Sequence, residues 1–293
     1  MSASFNLTVQ FLEKEVPLCR WIAYAGKPIY IDTLVTRPAY SLVEQSLNSK
    51  FSFRPDGSIL ATNGDGFGLG WYMDREEPGL FKTAEPAWGN ENINELCSQI
   101  RARIFMAHIR AASSGAIQRT NAHPFKYKNW IFQHNGCLES FDVLRRELQF
   151  DIAPEFFSYL KGTTDSETLF LLALTYGLQD DPKAALEKVI LRVRRACDEK
   201  QVPYRLVMSC ALSDGKSLYT IRYSSQKMVH SQYYSTHADC MKEINENSAS
   251  VPPSSVVVVS EPLDQSMEHW KEMPVDTFAT IRDGKIGIEQ LKL

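Results

Sequence analysis

Arg110 closes an apolar segment, residues 103–110, where a guanidinium is costly to bury without a carboxylate partner. Two partners fit it. One is an Asp or Glu of the same chain. The other is the carboxylate of a substrate, whose paired oxygens match the guanidinium fork. Asn135-Gly136 follows a second apolar segment. The dipeptide is a favoured turn. It also suits an oxyanion hole, in which an Asn amide and a bare Gly N–H point at one developing negative oxygen. Asp165 stands just inside a helix start. A carboxylate there interacts favourably with the helix dipole, or it receives the ammonium of an amino-acid ligand. Arg110 and Asp165 together would then hold the two charged ends of an α-amino acid.

Three histidines, His108, His123 and His134, lie close together in the chain. A zinc site needs convergent ligands, and no carboxylate stands at a matching spacing. The alternative is that His108 and His134 satisfy buried backbone groups at strand ends. The segment GxxxxGK[ST], HExxH and GxSxG are all absent. The run Gly64-Asp65-Gly66-Phe67-Gly68-Leu69-Gly70 lacks GxGxxG spacing and reads as a turn feeding a strand over 69–73.

These side chains need a frame. Strands are expected over 103–110, 129–134, 204–212, 217–223, 255–260, 277–282 and 285–289. Two hairpins are marked by Asp214-Gly215 and Asp283-Gly284. Helices are expected over 91–102, 139–148 and 182–199. The last places Leu186, Val189, Ile190, Val193 and Cys197 on one face. Thr164-Asp165-Ser166-Glu167 has capping-box spacing and opens another helix. Strands dominate both ends with helices between, which argues against a doubly wound parallel sheet. Breaker-rich stretches over 54–70 and 245–255 read as loops within one domain.

The chain has 293 residues, 44% of them apolar, enough for a globular core. It carries 35 acidic and 32 basic side chains, a formal charge of −3. That balance predicts neither a nucleic-acid-binding field nor a polybasic membrane patch. No apolar run approaches the ~18 residues of a membrane span. The six cysteines, Cys19, Cys97, Cys137, Cys197, Cys210 and Cys240, are scattered without a CxxC pair. Reduced thiols and a cytoplasmic location fit this better than a disulfide scaffold. All except Cys19 are expected to be buried, with Cys137 shaping the floor beside Asn135-Gly136. Residues 1–18 lack a basic n-region and carry Glu13, Lys14 and Glu15, so they do not read as a secretory signal.

Seven segments carry a family resemblance. They are Cys19-Arg20-Trp21-Ile22-Ala23-Tyr24-Ala25-Gly26, Asp65-Gly66-Phe67-Gly68-Leu69-Gly70-Trp71-Tyr72, His108-Ile109-Arg110-Ala111-Ala112-Ser113, Asn121-Ala122-His123-Pro124-Phe125, His134-Asn135-Gly136, Thr164-Asp165-Ser166-Glu167 and Ser260-Glu261-Pro262-Leu263. In this order the chain resembles the class II glutamine amidotransferases, which are N-terminal-nucleophile hydrolases. It looks most like their stand-alone branch, the γ-glutamyl hydrolases of ergothioneine synthesis and glutathione degradation. The resemblance implies an α+β fold, a four-layer α/β/β/α sandwich of two antiparallel sheets. It implies that Cys19 is the nucleophile, that Asn135 and Gly136 form the oxyanion hole, and that Arg110 and Asp165 hold the substrate's α-carboxylate and α-amine. Ser113 and His123 match positions lining the glutamine pocket. The implied reaction hydrolyses the γ-amide of glutamine or a γ-glutamyl compound through a cysteinyl thioester, with no metal or organic cofactor.

Such a nucleophile uses its own α-amine as base, and here Leu18 precedes Cys19. Removing an initiator methionine does not expose it. Residues 1–18 are therefore expected to be a propeptide or N-terminal extension, and 19–293 a single glutamine amidotransferase type 2 domain. The competing expectation is a catalytically silent γ-glutamyl-binding or scaffold subunit. Because the match uses nearly the whole chain, the expected partners are a γ-glutamyl small molecule and, in one version, a synthase or hydrolase subunit. The leaving-group side would be read by loops such as 75–92.

Overall fold

Trp21-Ile22-Ala23-Tyr24-Ala25 is a continuous apolar run, and successive strand residues point to opposite faces. Both faces of this strand are buried. Trp21, Ala23 and Ala25 pack with Ile131, Ala211, Ala279 and Ile281 of a second sheet. Ile22 and Tyr24 pack with Leu34, Val35, Leu42 and Ile93 of helices on the other side. In the computed structural model the described residues are 19–47, 62–112, 115–226, 229–236, 251–252 and 254–293.

The strands in chain order are β1 (Arg20–Tyr30), β2 (Phe67–Tyr72), β3 (Gly79–Thr83), β4 (Arg101–Ile109), β5 (Phe125–Tyr127), β6 (Trp130–Leu138) and β7 (Leu206–Ser213). They continue with β8 (Leu218–Ser224), β9 (Tyr233–Ser235), β10 (Val256–Val259), β11 (Trp270–Glu272), β12 (Thr277–Arg282) and β13 (Lys285–Gln290). The helices are α1 (Asp32–Val35), α2 (Leu42–Leu47), α3 (Glu91–Gln99), α4 (Phe141–Phe150), α5 (Pro154–Phe157), α6 (Asp165–Thr175) and α7 (Pro182–Lys200). One sheet has the order β11-β9-β10-β1-β4-β2-β3 and the other β13-β12-β8-β7-β6-β5. Among the described residues every strand pairing is antiparallel. A third cluster joins Phe132, Met208, Cys210 and Ile221 of the second sheet to Leu144, Leu169, Phe170, Val189 and Val193 of α4, α6 and α7. Three apolar interfaces between four layers give the α/β/β/α sandwich.

Helix α7 starts with Asp181, whose carboxylate accepts from Ala184 N–H at 3.0 Å, and with Pro182 in its first turn. Helix α6 is buried along nearly its whole length, as befits a helix packed on several sides. Thr164 Oγ1 accepts from Glu167 N–H at 3.3 Å. The Glu167 carboxylate does not complete the reciprocal box. It accepts instead from Lys161 N–H at 3.1 Å and Gly162 N–H at 2.6 Å, which closes the loop ahead of the helix.

Several expected boundaries shift. The helix over 91–102 ends at Gln99, because 101–102 belong to the long strand β4. The strand expected over 129–134 runs on to Leu138, so Asn135-Gly136 is not a turn. Asn135 pairs with Ser209 and Gly136 with Met208 inside the sheet. Both hairpins form as expected, between β7 and β8 and between β12 and β13. Cys97, Cys197 and Cys210 are buried, and Cys137 is half-buried. Cys240, Ser113, residues 1–18 and parts of the two expected loops (54–61, 245–250 and 253) lie outside the described residues. Among the described residues, no helix is long and apolar enough to cross a membrane.

Candidate active site

The register of β1 on β4 pairs Arg20 with Ile109, so Cys19 and Arg110 leave the sheet side by side. Cys19 Sγ accepts from Ala111 N–H at 3.3 Å. Burial pushes the thiol pKa up, opposed by the Ala111 N–H and by the positive charges of Arg110 and Arg20. The thiol therefore needs a base.

Period-2 alternation along β6 sorts its polar side chains. Gln133 and Asn135 face the other sheet. Gln133 Nε2 donates to Ile22 O at 3.2 Å, and Asn135 Nδ2 donates to Cys19 O at 2.9 Å. His134 faces the helices instead, with Nε2 3.0 Å from Val207 O and Nδ1 2.9 Å from Ser166 Oγ. His108 Nε2 crosses the gap to His134 O at 3.2 Å. His108 and His134 thus satisfy buried backbone carbonyls. Gly136 shares the His134 face. A Cβ there would lie 2.0 Å from Val207 O and 2.4 Å from His134 Nε2, so no larger residue fits beside that imidazole.

Arg110 is buried, and its guanidinium donates to Ala116 O at 3.1 Å and Gly115 O at 3.4 Å. Burial lowers its pKa, while Cys19, Asp65 and Asp165 nearby act the other way. Its backbone is clasped by the glycine-rich turn. Arg110 N–H donates to Gly66 O at 2.8 Å, and Asp65 N–H donates to Arg110 O at 3.1 Å. The Asp65 carboxylate accepts from Ala112 N–H at 2.8 Å. Gly66 has φ +134°, a backbone region that L side chains rarely adopt.

Asp165 begins α6 and is buried. Its Oδ2 accepts from Leu138 N–H at 2.7 Å and its Oδ1 from Ser166 N–H at 2.7 Å. This ties the helix start to the end of β6. Ser166 Oγ adds a third contact to Oδ1 at 3.2 Å, and because a carboxylate has about four lone-pair sites, acceptor capacity remains for an ammonium. The His123 ring stacks on His108 with centroids 4.2 Å apart and meets Phe125 edge-on. Both of its nitrogens are buried without a hydrogen-bond partner among the described residues. Among the described residues, no group of three His, Cys, Asp or Glu side chains is placed to hold a metal ion.

The structure brings Cys19, Asn135, Arg110 and Asp165 to one end of the sandwich. It adds residues that the sequence reading did not single out. Arg20 Nε donates to Glu261 Oε2 at 2.6 Å, a pair 3% and 4% exposed, and Arg20 Nη1 donates to Cys19 O at 3.1 Å. Removing one partner of such a pair costs roughly 3–5 kcal/mol, so Arg20 fixes the backbone of Cys19 firmly. The sequence signal was the Cys-Arg dipeptide itself, whose second member lies within an apolar run. His230, whose Nδ1 lies 3.2 Å from Asn135 Oδ1, gave no comparable signal, since it acts through a neighbour distant in sequence.

A family model described as glutamine amidotransferases class-II matches residues 42–292, a range that begins after Cys19. The chain belongs to the class II glutamine amidotransferases. It is 32% identical over 301 residues to the probable glutamine amidotransferase DUG3 of Saccharomyces cerevisiae, covering 90% of this chain and 82% of that protein. It is 23% identical to the gamma-glutamyl-hercynylcysteine sulfoxide hydrolase of Mycolicibacterium smegmatis, over 94% of this chain and all (100%) of that one. A solved glutamine aminotransferase class-II domain protein from Silicibacter pomeroyi superposes with a TM-score of 0.69 at 30% identity, covering 94% of this chain and 100% of that one. The glutamine phosphoribosylpyrophosphate amidotransferase of B. subtilis, at 14% identity and TM-score 0.61, shares the fold.

Proposed function

We propose that this class II amidotransferase hydrolyses the γ-amide of glutamine or of a γ-glutamyl compound through a thioester on Cys19. The observation that carries the reading is the convergence at Cys19. Its thiol sits against the Ala111 N–H beside Arg110, and its carbonyl is held by the Asn135 amide. The Leu18–Cys19 bond is cut, leaving a free α-amine on Cys19. That amine takes the thiol proton, and sulfur bonds to the γ-carbonyl carbon. The second N–H of Asn135 Nδ2 and the Gly136 N–H stabilise the oxyanion. The C–N bond then breaks, and the amine leaves with the proton returned by the α-ammonium. Water hydrolyses the thioester to release the γ-carboxylate. Arg110 receives the α-carboxylate and Asp165 the α-ammonium, with His123 at the pocket wall.

The γ-glutamyl class is favoured by the hydrolase relative, whose name specifies such a substrate. Residues 19–293 act as one type 2 amidotransferase domain, and a reducing cytoplasm suits the free thiol. A synthase or hydrolase subunit that takes up a product is the partner consistent with this chemistry. The residues ahead of Cys19 favour a second reading, a silent γ-glutamyl-binding subunit. Release of amine from glutamine and γ-glutamyl amides by protein starting at Cys19 decides between them: turnover supports the hydrolase, and binding without turnover supports the silent subunit.

Two further results are expected. Arg110→Ala removes a bidentate, charge-assisted contact of about 1.5–3 kcal/mol per bond, so KM should rise by roughly 10²-fold or more. An unchanged KM in steady-state kinetics would contradict the assignment. The pH profile should follow the amine. Its ordinary pKa is about 7.7–8.0, and only the unprotonated form accepts the thiol proton. Turnover (kcat/KM) should therefore fall about tenfold per pH unit below neutrality. A flat profile across the titration range of the amine would exclude it as the base.

A further inference from the structure

The Asn135 amide is useful to the reaction only one way round. Its Nδ2 lies 2.9 Å from Cys19 O, and its Oδ1 lies 3.2 Å from His230 Nδ1. A carbonyl oxygen accepts and cannot donate. The amide must therefore present its NH₂ to Cys19, which turns its oxygen towards His230. Only an imidazole carrying a proton on Nδ1 can meet that oxygen as a donor. With the amide turned end over end, two acceptors would face each other at Cys19.

His230 is itself held in place. The residue is 6% exposed, and its carbonyl accepts from Arg222 Nε at 2.9 Å. Arg222 Nη2 in turn donates to Glu272 Oε1 at 2.6 Å. Burial lowers the imidazole pKa to about 4, so the ring is neutral at neutral pH and has one proton to place.

We infer that His230 is a positioning residue of the oxyanion hole: its Nδ1–H holds Asn135 Oδ1, so that the amide keeps one N–H on Cys19 O and aims the other at the carbonyl under attack. This rests on the hydrolase reading. His230 acts through Asn135.

The first test needs no turnover. Long-range ¹H–¹⁵N correlation of the His230 ring in the intact protein is expected to show the Nδ1–H tautomer, and the Nε2–H tautomer overturns the inference. The second test is kinetic. Losing an oxyanion donor outright costs roughly 10²–10³ in kcat, so loosening one through His230→Ala should cost roughly 10–100-fold in kcat with KM within about twofold. His230→Asn can place an amide N–H near the lost Nδ1–H and should recover most of that loss. Alkylation of Cys19 by iodoacetamide requires no oxyanion hole and should keep its rate in both variants. A His230→Ala protein with full kcat, or one that loses alkylation and turnover in parallel, overturns the inference. Absence of turnover in the unsubstituted protein starting at Cys19 would fail the hydrolase reading instead, and the tautomer would still decide how Asn135 is held. The tautomer also decides it if the alanine variant does not fold.

Discussion

Replacing Cys19 with alanine is expected to take γ-glutamyl amide hydrolysis to background, a loss on the order of 10⁴-fold or more, with ligand binding retained. The reason is a division of labour across elements. The sulfur is the only atom proposed to bond to the substrate, and it is held against Ala111 N–H. The proposed grip on the substrate is separate, since Arg110 is fixed by loop carbonyls and Asp165 by the ends of β6 and α6. Turnover assays paired with calorimetric titration of glutamate read the two effects independently. Residual turnover within about tenfold of the unsubstituted protein would mean that another group attacks the amide.

Asn135→Ala should lower kcat by roughly 10²–10³ while KM stays nearly constant, because an oxyanion donor acts mainly in the transition state. The variant also strands the buried His230 Nδ1, at about 1–3 kcal/mol for an unsatisfied group, while Cys19 O keeps its bond from Arg20 Nη1 at 3.1 Å. A lower denaturation midpoint should therefore accompany the kinetic loss. Steady-state kinetics on the folded fraction separates the two. A raised KM with intact kcat would place Asn135 in ground-state binding and remove it from the oxyanion hole.

Much of the frame was legible from local chemistry. The hairpins at 213–216 and 283–284 follow from Asp-Gly pairs between β-branched segments, and α7 follows from its apolar stripe and its Asp-Pro start. The central strand β1 was harder to read. Its alternation is hidden because both faces are buried, and a short apolar run does not by itself distinguish strand from helix. Asn135-Gly136 shows the limit of a local rule. The dipeptide favours a turn, yet the β7 partner strand and the His134 ring folded over Gly136 hold it extended. In the site, Cys19, Arg110, Asn135 and Asp165 could be named from their types and the family pattern. The Arg20–Glu261 pair and the contact of His230 with Asn135 span long separations in sequence, and no spacing rule connects such residues.

The α-amine of Cys19 is the centre of the account, because it is the proposed base for its own thiol. Intact-mass measurement with N-terminal sequencing of the active protein tests it directly. The expected result is a chain that starts at Cys19, with activity tracking the cleaved fraction. An active preparation in which Leu18 remains joined to Cys19 would contradict the mechanism.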